Sequence, residues 1–585
     1  MSEARRHKSR AGCQQCKRRK VKCDLGIPNC NQCRRQKLQC PGYQKPLKWV
    51  SDEVSSSRPQ AQTHPSRTSK SPTTSQTSRS SSSSGSYIPG SCLGEPLYDD
   101  TTTLIHHYFT RVCRIAGCFD SPFSPFRIIP PLILSTSKPI FLLLQASSAA
   151  QLSRQHPTMR IKALRLQTEA FSAVRDDIGM LMSGGGGFAV SDELMLASIF
   201  AGLTSAWYDV NDTGLSHVLG SQILLSLWLM GRVGQRLNYQ QTFILGAYVY
   251  WFMISSFAVG DPWQSFCYQE ALQSTLAKLD MCRDVVDDTD VPEEQRKVYP
   301  HPLTGFSNEV CLAVGKVGSL CRLHYISKGQ MRDFLEEKAG IAEEELLDLE
   351  QFDSRNFQDP QDPKTNVEEI LSVREAYRLA GLLQLYDTFP HLLHRHTEPQ
   401  DYSPECEIEE EPHTPAQHNF LLALSIHILR ILATIPPSSG TRVLQGLPAL
   451  IAATWLVDPH PSTSDIFNHP RLPLTPSVLQ PSPTSLPSSS QAHPTYQPHL
   501  DQLHSPSSSS LSQKQYWRDR VRDGLRKHDE YVGLQQVSRV LDIVEEVWRL
   551  DDRAGYGNWK LGRRSGEKCK WMVVVARKGL QTLYG

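Results

Sequence analysis

Between Gly12 and Tyr43 the chain reads GCQQCKRRKVKCDLGIPNCNQCRRQKLQCPGY, and six cysteines punctuate it: Cys13, Cys16, Cys23, Cys30, Cys33 and Cys40. Their spacing is C-x2-C-x6-C-x6-C-x2-C-x6-C, two equivalent halves in tandem. A C-x2-C pair lets two thiolates grip one metal from a single turn of backbone, and zinc completes such sites as a tetrahedron of four ligands. Two zinc ions need eight ligand positions, whereas six sulfurs are present and no histidine lies between Cys13 and Cys40. The count closes if two thiolates each bridge both ions. One zinc alone would leave two cysteines idle, which the regular spacing argues against.

Six thiolates and two Zn²⁺ leave a formal charge of −2 on such a cluster, and the residues around it more than offset that charge. Lys17, Arg18, Arg19, Lys20 and Lys22 fill the interval between Cys16 and Cys23. Five cations over about 1.5 turns of helix, held by a metal core, suit a short recognition helix in the major groove of double-stranded DNA. Arg34, Arg35 and Lys37 in the second half suit phosphate contacts. Pro28 breaks the chain between the halves. The basic runs Arg5–Arg10 and Lys17–Lys22 also fit nuclear import.

The rest of the 585-residue chain has a different character. Residues 1–50 hold 14 Lys/Arg and 2 Asp/Glu, yet the whole chain carries a net charge of only +2, so the remainder is mildly acidic. A basic head on an acidic body describes a polyanion-binding module attached to something else. Nine of the 15 cysteines are scattered beyond the head without C-x2-C spacing, and they read as ordinary thiols in a reducing compartment. Residues 243–260 form an 18-residue stretch without a charge, which reads as a buried core helix. No membrane partner is expected.

Composition sets the expected domains. The head spans 7–43. A disordered linker covers 44–96, because Ser, Thr and Pro make up 24 of residues 51–90. An all-helical body runs from 97 to 458, and 459–515 form a disordered insertion, with 25 Pro or Ser among residues 459–512. The C-terminal helical part of the same body covers 516–585. Expected helices include 128–147, 161–183, 191–207, 217–230 and 243–260. Ser191 before Asp192 and Glu193 reads as a helix start, as does Asn366 before Glu369 in a run that Pro390 ends. Residues 331–363 and 398–413 read as acidic loops or insertions. No a/d heptad follows the head, so no coiled coil is expected there.

The cysteine pattern closely resembles that of the fungal Zn2Cys6 binuclear-cluster transcription factors over residues 12–43. The resemblance implies that the first and fourth cysteines, Cys13 and Cys30, bridge. One zinc would take Cys13, Cys16, Cys23 and Cys30, and the other Cys13, Cys30, Cys33 and Cys40. It places the base-reading lysine at Lys20, with Arg19 beside it, and implies CGG/CCG triplets as half-sites. The body resembles the fungus-specific transcription factor domain at LIHHYFTRVCRIAGCFDSPFSPFR (104–127), DELMLASIFAGLT (192–204), SHVLGSQILL (216–225), REAYRLAGLLQLY (374–386), LPALIAATWLV (447–457) and VSRVLDIVEEVW (537–548). That implies an all-helical regulatory body without an established catalytic site. The Pro/Ser block at 459–512 and the tail 552–585 depart from the family's pattern.

The weaker motifs favour plain readings. His391, His394 and His396 lack a fourth ligand, and the glycine run at 183–187 lacks the Gly-Lys-Ser/Thr of a phosphate loop. Residues 333–359 carry ten acidic and two basic groups among apolar residues. A solvated helix and loop is favoured there over a segment that docks on a coactivator. The expected function is zinc-dependent, sequence-specific DNA binding that regulates RNA polymerase II transcription in a fungal nucleus, with no enzyme activity. A coactivator or corepressor is an expected partner, and a homodimer formed through the body is an alternative to a monomer on one triplet. The competing reading is a ligand-responsive helical protein in which DNA binding is secondary.

Overall fold

At Ser191 the hydroxyl accepts the Leu194 N–H at 3.1 Å, and Asp192 and Glu193 stand in the first turn that follows. Asn366 does the same for Glu369 at 2.8 Å. Asn238 and Thr414 go further, each forming a reciprocal capping box with the glutamine three residues on. Helix starts of this kind recur throughout the computed structural model. It describes residues 14–19, 21, 30–36, 38, 99–183, 189–232, 235, 237–278, 299–327, 329–349, 357–397, 413–458, 510–554 and 570–583. Residues 44–96, 184–188, 398–412 and 459–509 lie outside them, as do the expectations placed there. The chain divides into two units, Met1–Cys92 and Leu93–Gly585.

Among its described residues the first unit has two short helices, α1 (Gln14–Arg18) and α2 (Asn31–Arg35). The second is helical throughout its described residues, with one isolated bridge between Asp362 and Thr365 and no strand among them. It begins with α3 (Asp100–His107), a π-helical turn (Tyr108–Val112) and α4 (Cys113–Ile115). There follow α5 (Pro125–Ile133), α6 (Lys138–Leu152), α7 (Met159–Ser183), α8 (Asp192–Leu203), α9 (Ser205–Tyr208) and α10 (Leu215–Met230). The centre is formed by α11 (Tyr239–Ser256), α12 (Pro262–Lys278), α13 (Asn308–Ser327), α14 (Arg332–Leu347) and α15 (Val367–Thr388). After α16 (Pro390–Thr397), α17 (Pro415–Thr434) and a 3₁₀ turn (Gly440–Leu444) come α18 (Gly446–Ala453), α19 (Ser510–Val532), α20 (Gln535–Ala554) and α21 (Trp571–Lys578).

The core centres on α11, α13 and α15, which pack side by side. Every residue from Phe243 to Ser256 of α11 is buried, as the charge-free sequence there leads one to expect. Helix α17 is long and apolar enough to cross a membrane by length and composition, and here it packs on α15, α16 and α18. Several buried charges are paired, which offsets the large desolvation cost of burying them. Lys316 on α13 lies between Glu270 of α12 and Glu345 of α14, at 2.9 and 2.7 Å. Asp192 accepts from Trp228 Nε1, Arg232 and Gln241, which ties α8 to α10 and α11.

Several boundaries differ from the sequence expectation. The helix expected over 128–147 is two helices: the first runs through Pro130 and Pro131 to Ile133, and the second starts at Ser137, which accepts from Ile140 N, with Pro139 in its first turn. The one expected over 191–207 breaks at Thr204. The acidic stretch expected as a loop is helix α14 over 332–347, whose Leu335, Ala339, Ala342 and Leu346 are buried. Phe334 packs against Trp263 and Phe266, so most of the described apolar side chains of this stretch face the body, whereas Ile341 is exposed. The tail beyond 569 also packs: Trp571 is buried and donates through Nε1 to Gln384 Oε1 at 2.6 Å.

One buried group sets a pH dependence. His528 on α19 is 6 % exposed, and burial pulls its imidazole down from 6.5 to about 4 despite Asp529 beside it. The neighbouring Arg442 guanidinium also disfavours a second charge. The unfolded chain therefore takes up this proton near pH 6.5 and the folded chain only near pH 4, so stability is full above the first value and is lost as pH falls toward the second. His528→Gln is expected to flatten the fall in Tm between pH 7 and pH 4.5. An unchanged slope would place the acid sensitivity elsewhere.

Candidate metal centre and nucleic-acid interface

In the head unit, α1 and α2 are each one turn of helix followed by the same stop. The Val21 N–H reaches back to the Cys16 carbonyl at 3.1 Å, and the Leu38 N–H to the Cys33 carbonyl at 3.0 Å. Residues 16 and 21 are offset by 17 from residues 33 and 38, the offset that also relates Cys13 to Cys30 and Cys23 to Cys40. The tandem halves of the sequence are thus tandem halves of structure. Both i+5 bonds satisfy carbonyls that a one-turn helix would otherwise leave open.

Cys16, Cys30 and Cys33 are fully buried, and their sulfurs lie within 4.8 Å of one another. Among the described residues they are the one group of side chains arranged to hold a metal. Cys16 Sγ and Cys30 Sγ are 3.6 Å apart. Tetrahedral coordination at about 2.3 Å per Zn–S bond would set neighbouring sulfurs about 3.8 Å apart, so the spacing suits one zinc between them. None of the three is in a disulfide. Three sulfurs buried together fit a zinc-bound set of thiolates.

Cys30 has a second role that sequence reading missed. It is the N-cap of α2, with φ −66° and ψ 143°, and its sulfur accepts the Cys33 N–H at 3.3 Å. An N–H aimed at the sulfur favours the thiolate over the thiol, as ligation requires. The signal was present in the spacing, because C-x2-C places the first sulfur at N-cap and the second cysteine at N3, the span of an ordinary cap.

Arg18, Arg19, Arg34 and Arg35 are exposed at the C-terminal ends of the two helices. Burial of the sulfurs with exposure of the guanidiniums gives a metal-ligating interior and a cationic exterior. Lys17 lies within α1, but its side chain lies outside the described residues, as do Cys13, Lys20, Lys22, Cys23, Lys37 and Cys40. The histidines weighed as a second metal site do not form one among the described residues: His391 is half-buried and His394 is exposed.

A buried set of thiolates with exposed arginines, in a chain that also carries a large helical body, defines a zinc-dependent DNA-binding regulator. Residues 11–50 match the fungal Zn(2)-Cys(6) binuclear cluster domain, which holds two zinc ions. Residues 103–467 match the fungal specific transcription factor domain. The second match covers more than half of the chain, which therefore belongs to the family of fungal transcription factors carrying that domain. No curated protein and no solved structure matches the chain.

Proposed function

We propose that the protein binds CGG/CCG triplets in double-stranded DNA and regulates RNA polymerase II transcription from the nucleus, without catalysing a reaction. The observation that carries this reading is the head itself, with three buried sulfurs in zinc-binding spacing and exposed arginines at the ends of both one-turn helices. In this reading Cys13, Cys16, Cys23 and Cys30 hold one zinc, and Cys13, Cys30, Cys33 and Cys40 the other, with Cys13 and Cys30 shared. The ions cross-link a segment too short to bury a core of its own. Lys20 and Arg19 then reach guanine edges. Lys17, Arg18, Lys22, Arg34, Arg35 and Lys37 neutralise phosphates. The segments 7–43, 44–96, 97–458, 459–515 and 516–585 act as DNA-binding head, linker, regulatory body, insertion and C-terminal part of the body. A coactivator or corepressor would read the body's state.

Lys20 and Lys37 are equivalent under the 17-residue offset, which makes them a matched test. Lys20→Ala is expected to weaken binding to a CGG site by about 1–3 kcal/mol and to relax triplet preference. Lys37→Ala should lower affinity on all sequences alike and reduce the magnitude of the slope of log affinity against log salt by about one. Binding measured on cognate and scrambled duplexes over a salt series separates the two. Wild-type specificity in Lys20→Ala would refute the base-reading role.

A second reading, in which the body responds to a small molecule, has one observation in its favour. A small apolar cleft, with about 50 Å³ of accessible space, lies between Tyr108, Phe126, Ile199, Phe200, Phe243 and their neighbours. It supplies no catalytic group and is compatible with DNA binding by the head.

A further inference from the structure

Where the end of α19 meets α3 and α6, the helical body opens into a polar cleft with about 520 Å³ of accessible space. It shares no lining residue with the apolar cleft described above. Its size falls within the roughly 300–1,000 Å³ usual for small-molecule sites. His107 at the end of α3 and Arg111 in the π-helical turn form one wall. Turns of that kind recur at functional sites. Gln151 of α6 and Gln155 just beyond it form a second wall, and Glu530 and Gly533 at the end of α19 a third.

The polar groups are held in place. Arg111 is half-buried and donates from Nη2 to the Tyr531 carbonyl at 2.6 Å, 420 residues away. Among the described residues no carboxylate pairs with it. The other arginine at the cleft, Arg154, is occupied, since it grips both carboxylate oxygens of Asp529 at 2.7 and 2.5 Å. Gln151 is only 8 % exposed. Burial pulls the His107 imidazole below its ordinary 6.5, so at neutral pH it is uncharged and donates from Nε2 to Gln151 Oε1 at 2.8 Å. The Gln151 Nε2 has no hydrogen-bond partner among the described residues and keeps access to the cleft. It lies over Gly533, where φ is 72° and an added Cβ would come within 2.8 Å of it. Two sets of donors therefore face the cleft unfilled, the free edge of the Arg111 guanidinium and the Gln151 amide. An acceptor placed between them would offset the free energy lost in keeping such donors largely out of water.

We propose that this cleft binds a small oxyanion, a carboxylate or phosphate group on a solute of metabolite size, through the Arg111 guanidinium and the Gln151 amide. A guanidinium presents two parallel N–H donors that match the two oxygens of a carboxylate or phosphate. The carbonyl of Tyr531 fixes its plane, so little side-chain freedom is lost on binding. Glu530 decides the size of the ligand. It is exposed at the cleft and pairs with no cation among the described residues, so it repels a polyanion such as a nucleic-acid backbone and admits a single anionic group. The bound group would join the first helices of the body to the end of α19, segments about as far apart in sequence as the body allows. It would therefore stabilise the folded body. The inference concerns the body alone and does not depend on DNA binding by the head.

The test is isothermal titration calorimetry on the full-length, zinc-loaded protein without DNA, with Tm followed on the same samples. The probes are sodium phosphate, succinate and citrate up to about 10 mM, against sodium chloride at matched ionic strength. Saturable binding of phosphate or of a carboxylate is expected, with a rise in Tm that chloride does not give, and the arm that binds tells the two sources apart. Gln155→Glu sets a second carboxylate in the lining at an exposed side chain, and should weaken that binding about tenfold or more while the ligand-free Tm stays the same. Glu530→Gln removes the carboxylate already there and should tighten it severalfold. Arg111→Gln should abolish it, and the ligand-free Tm of that variant reports separately on the lost bond to Tyr531. Failure of every probe to exceed the chloride control, or binding that Gln155→Glu and Arg111→Gln leave unchanged, would overturn the proposal.

Discussion

Cys30→Ser is expected to reduce bound zinc from two ions per chain to none and to weaken specific DNA binding by about 100-fold or more, while the helical body keeps its Tm. The Cys30 sulfur is fully buried, lies 3.6 Å from that of Cys16 and accepts the Cys33 N–H. In the bridging assignment it serves both ions, so its loss would leave each metal with three thiolates. Removing even an outer partner of a metal ligand typically costs 10–100-fold, and a shared ligand should cost more. Serine makes the test selective. Its hydroxyl is among the best N-caps, so the start of α2 survives and the defect falls on the metal. Cys40→Ser is the matched control, since Cys40 is assigned to one ion and its loss should leave the other in place. Zinc content by mass spectrometry after dialysis, with Tm measured on the same samples, decides it. One zinc retained in Cys30→Ser would make Cys30 a terminal ligand and move the bridge elsewhere.

The head was legible because its information is local. Six cysteines within 28 residues state the metal count, and the 17-residue offset states the symmetry before any coordinate does. Helix starts were legible for the same reason, Ser191 and Asn366 each bonding the N–H three residues on. The split between α5 and α6 was missed although Ser137 and Pro139, a cap and a first-turn proline, were in view. The apolar run on either side of them was weighted above that start signal. Helix α14 was read as a loop because its charge dominates the composition. Yet Leu335, Ala339, Ala342 and Leu346 fall at i, i+4, i+7 and i+11, a helical period that was there to be counted.

Other features were beyond the reach of local pattern. The apolar residues of α10 announce a helix, but they do not say which half of it the rest of the chain will cover. That depends on where α8 and its neighbours lie. The body's C-terminal closure is of the same kind, because its partners are far apart in sequence. Lys570 donates to the carboxylate and to the carbonyl of Asp387, 183 residues earlier, and Trp571 to Gln384, 187 residues earlier. Nothing in residues 552–585 read alone indicates those contacts.

Trp571→Ala should accordingly destabilise the helical body by about 3–5 kcal/mol, the usual cost of deleting a large buried aromatic side chain. The indole is 1 % exposed and stacks on Phe257 with ring centroids 6.3 Å apart. Its N–H is bonded to Gln384 Oε1 on α15, so alanine leaves both a cavity and a buried acceptor that has lost its donor. Lys570→Met attacks the same closure through charge. The Asp387 side chain is 3 % exposed, and breaking its ion pair leaves a carboxylate buried without its cation, again at about 3–5 kcal/mol. The two residues are adjacent and both anchor on α15, so the double mutant should cost less than the sum of the singles. Urea melts monitored by circular dichroism would give all three values, and zinc content should not change in any of the variants. A loss below about 1 kcal/mol in Trp571→Ala would mean that α21 adds little to the fold. A large, sub-additive loss would establish the tail as an integral part of the core, closing the body against α15.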